Sequence, residues 1–497
     1  MTQTLPEQAG SADGRALDLR HLIGGEWCAG RGAEAVSTDP AHPDRAVATY
    51  RVATEDQLDH AVRAAADAAP GWDRTGPIGR GRVLRAAAEL LASRAEHVAK
   101  LVTAEEGKTL PEARAEVGLS VETLHYHAAH ARSADGATFP SGHPDELIRT
   151  LRRPLGVVGV ITPWNFPIQI PAWKLAPALV HGNAVVWKPA SDTPAVAVAF
   201  AEVLHEAGLP DGVLNLVLGP GALGAELVAR PEVSGITFTG SVPVGRAIQA
   251  AAVPRGTKVQ LELGGHNAAI VLPDADPADA AAALVAGAMS SAGQKCTATR
   301  RIIAVGDAYE PLVAELTSRV ESLVLGDGAV DGVDIGPLVS ARARDEVDAA
   351  LATATREGAV VLAQSGSALP AEGHFARPAV LAGTADLTIC REEVFGPITT
   401  VLRAPDLDAA IALANGTDFG LTAAVFTCDE RAARRCVTEL DAGLVKVNAP
   451  TTGSELHAPF GGLKDSSFPA PREQNGDTSA EFFTWSKTAY LRPGSRS

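Results

Sequence analysis

The sequence is poor in aromatic residues, at 4%, and its 497 residues include only two methionines and five cysteines. Cys28, Cys296, Cys390, Cys428 and Cys436 are odd in number, widely separated and free of any CxxC pair. That pattern excludes a disulfide framework and a zinc ribbon, leaves no metal centre to expect, and suits a reducing cytoplasm. No apolar run approaches the roughly 18 residues of a membrane-spanning helix. Positive charge is in deficit, with 43 Lys and Arg against 59 Asp and Glu, a formal net charge of −16. Such a chain is repelled by phosphate backbones and anionic lipid, so neither nucleic acid nor membrane is an expected partner. Met1 to Arg20 is polar, lacks an apolar h-region, and reads as a loose tail and not a signal peptide.

What is present is the composition of a soluble globular protein, 46% apolar and 21% charged. The length exceeds one core, so two or three domains are expected. His21 to Trp27 reads as a short strand and turn. Glu55 to Ala69 and Arg80 to Glu105 repeat apolar residues at three- and four-residue spacings, which predicts helices. Arg132 to Arg153 changes character: Gly136, Pro140, Gly142 and Pro144 precede an alternating Glu146 to Arg153. This predicts an extended arm suited to pairing with another subunit.

From Gly156 the pattern alternates. Gly156–Ile161, Ala184–Trp187, Val213–Leu218 and Gly235–Phe238 read as strands. Pro171–Val180, Pro194–Ala207 and Ala222–Ala229 read as helices. Short-spaced alternation of this kind predicts a mostly parallel, doubly wound sheet, with ligands at the carboxyl ends of its strands. A second alternating block runs from Asn267 to Val447, and Phe482 to Leu491 reads as a terminal strand. The expected fold class is therefore α/β, with two doubly wound lobes joined near Lys258 to Glu262 and a β arm.

Several segments carry chemistry. Gly219-Pro-Gly221-Ala-Leu-Gly224 has the form GxGxxG, but no acidic residue lies between Gly235 and Lys258 to hold a ribose, so the dinucleotide fingerprint is incomplete. Phe238-Thr-Gly240-Ser241-Val-Pro-Val-Gly245 is strand, tight turn and helix start, where backbone N–H groups can bind phosphate; glycines serving only the turn are the alternative. Lys188 ends another strand of the same sheet. Ser291 to Thr299 is a polar loop between the helix Pro277–Met289 and the strand Arg301–Val305, and it holds Cys296. An exposed thiol at such a junction can reach a substrate as a nucleophile; a passive loop cysteine is the alternative. Asn165, in Thr162-Pro-Trp-Asn-Phe-Pro167, offers an amide to an oxyanion, and Glu262, in Leu261-Glu-Leu-Gly-Gly265, offers a carboxylate. Glu392-Glu393-Val-Phe395-Gly-Pro397 and Pro459-Phe-Gly-Gly462 are unusual for plain loops.

From about Leu22 to Leu491 the sequence resembles the aldehyde dehydrogenase superfamily, with PWNFP, FTGS, LELGG, GQKCT and EEVFGP in the family's order. The resemblance implies Cys296 as nucleophile, Glu262 as general base, and the Asn165 amide with the Cys296 N–H as oxyanion donors. It implies a dinucleotide held by Thr162, Pro163, Trp164, Lys188, Ser191, Gly221, Gly240, Ser241, Gly245, Leu263, Glu393 and Phe395. It implies a substrate pocket that includes Phe166, Trp173, Lys295, Thr297 and His457, and a homodimer or homotetramer acting on a small-molecule aldehyde. The corresponding units are a dinucleotide-binding domain (1–131 and 155–261), a catalytic domain (262–470) and an oligomerisation arm (132–154 and 471–497). Within the superfamily the likeness is to α-ketoglutaric semialdehyde (2,5-dioxopentanoate) dehydrogenases, through Phe166–Leu179, Gly293–Thr299, Glu455–Gly462 and the tail Pro471–Gln474, Phe482–Thr484 and Lys487–Tyr490. A larger or aromatic aldehyde, transfer to coenzyme A, and a non-catalytic relative are the alternatives; the retained Glu262 argues against the second, and intact Cys296, Glu262 and Asn165 against the third. Ser191 stands where NAD-selective members often carry glutamate, so NADP is the favoured cofactor and NAD the alternative. Trp187, His266 and the turn Asp465–Pro471 depart from the family pattern, and no arginine is placed by sequence to hold a substrate carboxylate.

Overall fold

The computed structural model describes residues 15–133, 136–468, 474–476 and 478–493. Of the loose tail expected over Met1 to Arg20, the part before Arg15 lies outside them, while Leu17–Asp18 is a short strand paired with Ala48 and Thr49, with Leu17 and Leu19 buried. The likeness at Pro471–Glu473 and the end of the Asp465–Pro471 turn also lie outside.

Mostly buried strands assemble the first sheet in the spatial order Lys258–Glu262, Val233–Thr239, Val157–Ile161, Ala184–Lys188, Leu214–Leu216, His21–Ile23, Glu26–Cys28, only the last lacking a buried residue. The first five run parallel. The last two form an antiparallel hairpin turned by Gly24 and Gly25, both at positive φ. Chain order proceeds outward from Val157–Ile161 in one direction and then returns on its other side with Val233–Thr239. The crevice between those two strands is thus a topological switch point, where doubly wound sheets bind ligands.

The second sheet runs Val360–Gln364, Ala379–Ala382, Ile398–Ala404, Thr299–Val305, Asn267–Val271, Thr422–Phe426, Leu444–Val447, parallel except for the antiparallel first strand. Here the site-bearing loops precede the strands: Gly265 and His266 enter Asn267–Val271, Cys296 enters Thr299–Val305, and Glu393 and Phe395 enter Ile398–Ala404. The cleft therefore lies between carboxyl ends of the first sheet and amino ends of the second. The arm is a separate three-stranded sheet, Thr138–Phe139, Leu147–Pro154 and Thr484–Leu491, with Thr484 opposite Pro154 and Leu491 opposite Leu147.

Four local expectations need correction. The helix expected to stop at Ala69 continues to Arg74 through Pro70, drawn on by buried Trp72, whose indole N–H donates to Leu179 O at 2.9 Å. The single helix expected over Arg80 to Glu105 is two, Gly76–Ser93 and Ala95–Glu106, broken at Arg94, whose guanidinium turns to Glu206. Leu110–His130 is a helix not anticipated at all; its buried face mixes Ala113, Val117 and Leu124 with Glu116, Ser120, Thr123 and His127, which breaks the apolar stripe. Phe482 and Phe483 do not open the terminal strand. They close a short helix, Ser479–Phe483, with both rings buried and edge-to-face at 4.8 Å. Among the described residues no helix is long and apolar enough to cross a membrane, and no group of His, Cys, Asp and Glu could hold a metal ion.

Candidate active site

The helix Pro277–Met289 begins where the Asp276 carboxylate accepts the N–H groups of Ala278 and Asp279, and its alanines pack closely beneath the second sheet. Beyond Met289 the chain makes two consecutive left-handed residues, Ser291 (φ 53°) and Ala292 (φ 51°). Non-glycine residues avoid that region at a cost of about 1–3 kcal/mol each. The strain is held from outside: Glu112 Oε1 accepts the Ser291 N–H at 2.7 Å, and buried Arg300 donates to Gly293 O at 2.7 Å and Gly396 O at 2.6 Å. This forced turn aims Cys296 into a cleft of about 440 Å³ whose walls include Trp164, Asn165, Gly240, Leu263 and Phe395.

The thiol expected to be exposed is half-buried. Burial, with the carboxyls of Glu262 and Glu393 nearby, pushes its pKa well above the ordinary thiol value, so the resting group is the neutral thiol. Glu262 ends its strand 2% exposed, and among the described residues neither carboxylate oxygen has a partner at normal hydrogen-bond geometry. Burial raises its pKa to about 8, opposed by the charge of Lys174 and the amide of Gln474. Lys174 is itself buried, its pKa drawn down to about 7 by desolvation, and its Nζ donates to Thr237 Oγ1 at 2.8 Å and Gln474 Oε1 at 2.7 Å. Asn165, 5% exposed, donates through Nδ2 to Gln294 O at 3.0 Å.

The rest of the cleft suits a dinucleotide. Gly240 and Ser241 lead from the strand Val233–Thr239 into the helix Val242–Ala252, and the Ser241 side chain does not cap it. The first-turn N–H groups there can receive a diphosphate. A Cβ on Gly264 would lie 2.2 Å from Glu393 Oε2; the bare glycine lets Glu393 approach, and its Oε1 accepts the Gly265 N–H at 3.0 Å. Glu393 is raised to about 7 by burial, with Arg300 opposing. Phe395 meets Trp164 edge-to-face at 5.6 Å, linking the two lobes across the cleft. Pro163 and Leu263 line it too.

Other expected site residues make contacts of their own within the protein. The Thr162 hydroxyl is buried and accepts the Trp187 indole N–H at 3.0 Å, which gives that tryptophan its place in the core. Gly221 is exposed at the start of the helix Gly221–Ala229, and Gly245 is buried where a Cβ would strike Leu263 at 2.7 Å, so it serves helix packing. Lys188 is buried, with Nζ on Pro189 O at 2.8 Å and a pKa lowered by burial to about 8. The Ser191 hydroxyl donates to Gly219 O at 3.0 Å. Lys295 turns onto Ser290 Oγ at 2.6 Å. On the Cys296 side, Phe166 is half-buried with Lys108 Nζ 4.0 Å from its ring centroid. Trp173 packs on Phe460 at 5.4 Å, with its indole N–H unpartnered among the described residues. Thr297 is buried, its carbonyl accepting the Thr451 hydroxyl at 2.7 Å, and His457 is exposed.

Sequence reasoning missed Lys174, Asp192, and the opposite wall from Val339 to Glu346, whose helix Ala341–Arg356 is capped by Ser340. Lys174 had a readable signal, as the lone charge in an otherwise apolar helix, Gln169–Val180. The departures are structural. His266 Nε2 bonds Ile389 O at 3.1 Å, Asp465 accepts Arg246 at 2.7 Å, and Ser466 O accepts the Leu263 N–H at 3.0 Å, fixing the cleft's edge.

A family model described as the aldehyde dehydrogenase family matches residues 27–489. The chain is 43% identical to an α-ketoglutarate semialdehyde dehydrogenase of Haloferax volcanii, over 95% of this chain and 98% of that protein. It is 40% identical to an α-ketoglutaric semialdehyde dehydrogenase of Bacillus subtilis, with the same coverage. Among solved structures, betaine aldehyde dehydrogenase of Staphylococcus aureus in complex with NAD+ superposes with a TM-score of 0.92 at 31% identity, covering 97% of this chain and 96% of that one. A 3,6-anhydro-L-galactose dehydrogenase in complex with NADP superposes with a TM-score of 0.91 at 33% identity, covering 96% and 100%.

Proposed function

The chain belongs to the aldehyde dehydrogenase family, and from that premise we propose that it oxidises a small semialdehyde, α-ketoglutaric semialdehyde foremost, to the carboxylic acid. The observation that carries the reading is that Cys296 and Asn165 line one cleft suited to a dinucleotide, with the Glu262 carboxyl close enough to raise the Cys296 pKa. In this reading residues 1–131 and 155–261 form the dinucleotide-binding unit, 262–470 the catalytic unit, and 132–154 with 471–497 the arm.

Cys296 Sγ, once deprotonated, adds to the aldehyde carbon and forms a thiohemiacetal. The Asn165 amide and the Cys296 N–H stabilise the alkoxide oxygen, each such donor being worth about 3 kcal/mol. NADP or NAD, when bound, supplies the nicotinamide that accepts hydride. The thiohemiacetal thereby becomes a thioester on Cys296. Glu262 then takes a proton from water, whose oxygen attacks the thioester carbonyl and releases the acid and the thiol. A carboxyl with a pKa of about 8 is a stronger base than an ordinary glutamate, and its active ionised form fills as pH rises through that value.

For the cofactor, Ser191 adds no charge beside the adenosine ribose, and Lys188 contributes a buried cation at the same strand end. Asp192, which lines the cleft, opposes them, so both cofactors are accepted, with NADP favoured. A panel of aldehydes assayed with each cofactor tests substrate and cofactor together. Highest kcat/KM is expected with α-ketoglutaric semialdehyde, and Ser191→Glu should raise the KM for NADP roughly tenfold, about 1.4 kcal/mol, while sparing NAD. Preference for an aromatic aldehyde, or a hundredfold preference of the wild type for NAD, would overturn the respective part.

The arm leaves Phe139, Leu147, Trp485, Tyr490 and Leu491 exposed along its strands. Apolar strands of that kind call for a partner, and pairing between subunits supplies one. Light scattering at micromolar concentration should give a dimer or tetramer; a monomer would contradict this role.

A further inference from the structure

Beneath the two loops that carry Asn165 and Cys296 lies a closed ring of four buried residues. Lys108 Nζ donates to Asn165 O at 2.7 Å. Asn165 Nδ2 donates to Gln294 O at 3.0 Å. Gln294 Nε2 reaches Glu106 Oε1 at 3.4 Å, and Glu106 Oε2 accepts the Lys108 N–H at 2.9 Å. All four are at most 5% exposed. The ring is braced on three sides. Lys108 Nζ also donates to Glu116 Oε2 at 2.6 Å, while Glu116 Oε1 accepts the N–H groups of Ile168 and Gln169, at 3.0 and 3.2 Å, just beyond Asn165. Gln294 Oε1 accepts the Val339 N–H at 3.0 Å, and Val339 lines the cleft.

Buried charge is costly unless paired, and a lysine can be held in a core this dry only by a dense set of acceptors. A core that needed only filling would hold an apolar residue here. What the lysine supplies instead is direction, because a buried charge-assisted hydrogen bond is short and roughly twice as strong as a neutral one. It fixes the Asn165 main chain while Gln294, two residues before Cys296, fixes the amide.

We propose that Lys108 is a positioning residue for the oxyanion site, the Lys108–Asn165–Gln294–Glu106 ring holding the Asn165 amide and the Cys296 N–H in register with each other. The proposal rests on the reading of Asn165 as an oxyanion donor, and it acts through geometry: Lys108 touches neither substrate nor cofactor. Preorganised donors are effective because no reorganisation is needed as charge develops, so a loosened ring weakens catalysis more than binding.

The test is a double-mutant cycle between Lys108→Met and Asn165→Ala, read in kcat for aldehyde oxidation, KM for the cofactor, and the rate of Cys296 alkylation by iodoacetamide. Alkylation by displacement at a saturated carbon develops no oxyanion. Asn165→Ala should lose about a hundredfold in kcat, and Lys108→Met about ten- to a hundredfold, with cofactor KM and alkylation rate within about twofold of wild type. In the Asn165→Ala background, Lys108→Met should cost less than about twofold more. Multiplicative losses, or parallel loss of alkylation and cofactor binding, would show a general structural role and overturn the proposal. A harmless Asn165→Ala would overturn the oxyanion reading itself, and the ring's role with it. If Lys108→Met fails to fold, Glu106→Gln enters the same cycle, with a loss of about tenfold and the same non-additivity expected.

Discussion

Cys296→Ala should abolish oxidation of every aldehyde, by roughly 10⁴-fold or more, while leaving dinucleotide binding near the wild-type value. The expectation follows from where the thiol sits. Cys296 is one residue in a cleft whose other walls, from Gly240 to Phe395, make the surface a dinucleotide would meet. Its small side chain contributes little to that surface, and alanine keeps the backbone N–H. No other cysteine can substitute: Cys390 and Cys436 are buried in the core of the second lobe, Cys428 is exposed and Cys28 belongs to the outer hairpin of the first sheet. The measurement is turnover of the purified variant, with cofactor binding followed by fluorescence. Residual turnover within a hundredfold of wild type would remove Cys296 from the chemistry.

Glu262→Gln should separate the two halves of the reaction. The carboxyl is buried and lies close enough to Cys296 to raise the thiol's pKa. If it acts as base for the second step, its amide replacement keeps size and polarity but cannot accept the proton from water. Reduced cofactor should then appear in a burst of about one per active site, followed by a slow steady state. Where hydrolysis limits the wild type, its rate should climb as pH rises through about 8, because the raised pKa leaves the carboxylate scarce below that value. The variant should lack this rising limb. Loss of the burst itself would assign Glu262 to the earlier deprotonation of the thiol.

The central strands of the first sheet were legible because they are short, wholly buried apolar runs, as in Val157–Ile161 and Ala184–Lys188; the order of strands within each sheet was not. The same strands delivered Thr162, Lys188, Gly240 and Glu262 to one edge, since residues just past parallel strands share that edge. What sequence could not convey was which side chains were already engaged. Nothing in the sequence indicates that the Ser191 hydroxyl donates to Gly219 O or that the Thr162 hydroxyl accepts the Trp187 indole N–H, 28 and 25 residues away in the chain. The helix Leu110–His130 stayed hidden for a related reason: Glu116 interrupts its apolar face to hold Lys108 and the turn after Asn165. The edge of the second sheet that faces the cleft was also illegible, because alternation of strand and helix fixes neighbours but not how two sheets meet.

The proposed chemistry requires a covalent bond to Cys296 that Glu262 is needed to break. Glu262→Gln, mixed with α-ketoglutaric semialdehyde and cofactor, quenched in acid after the burst and digested, should yield the peptide containing Cys296 carrying the mass of one acyl group. An unmodified Cys296 peptide after a full burst, or the acyl group on another residue, would contradict it.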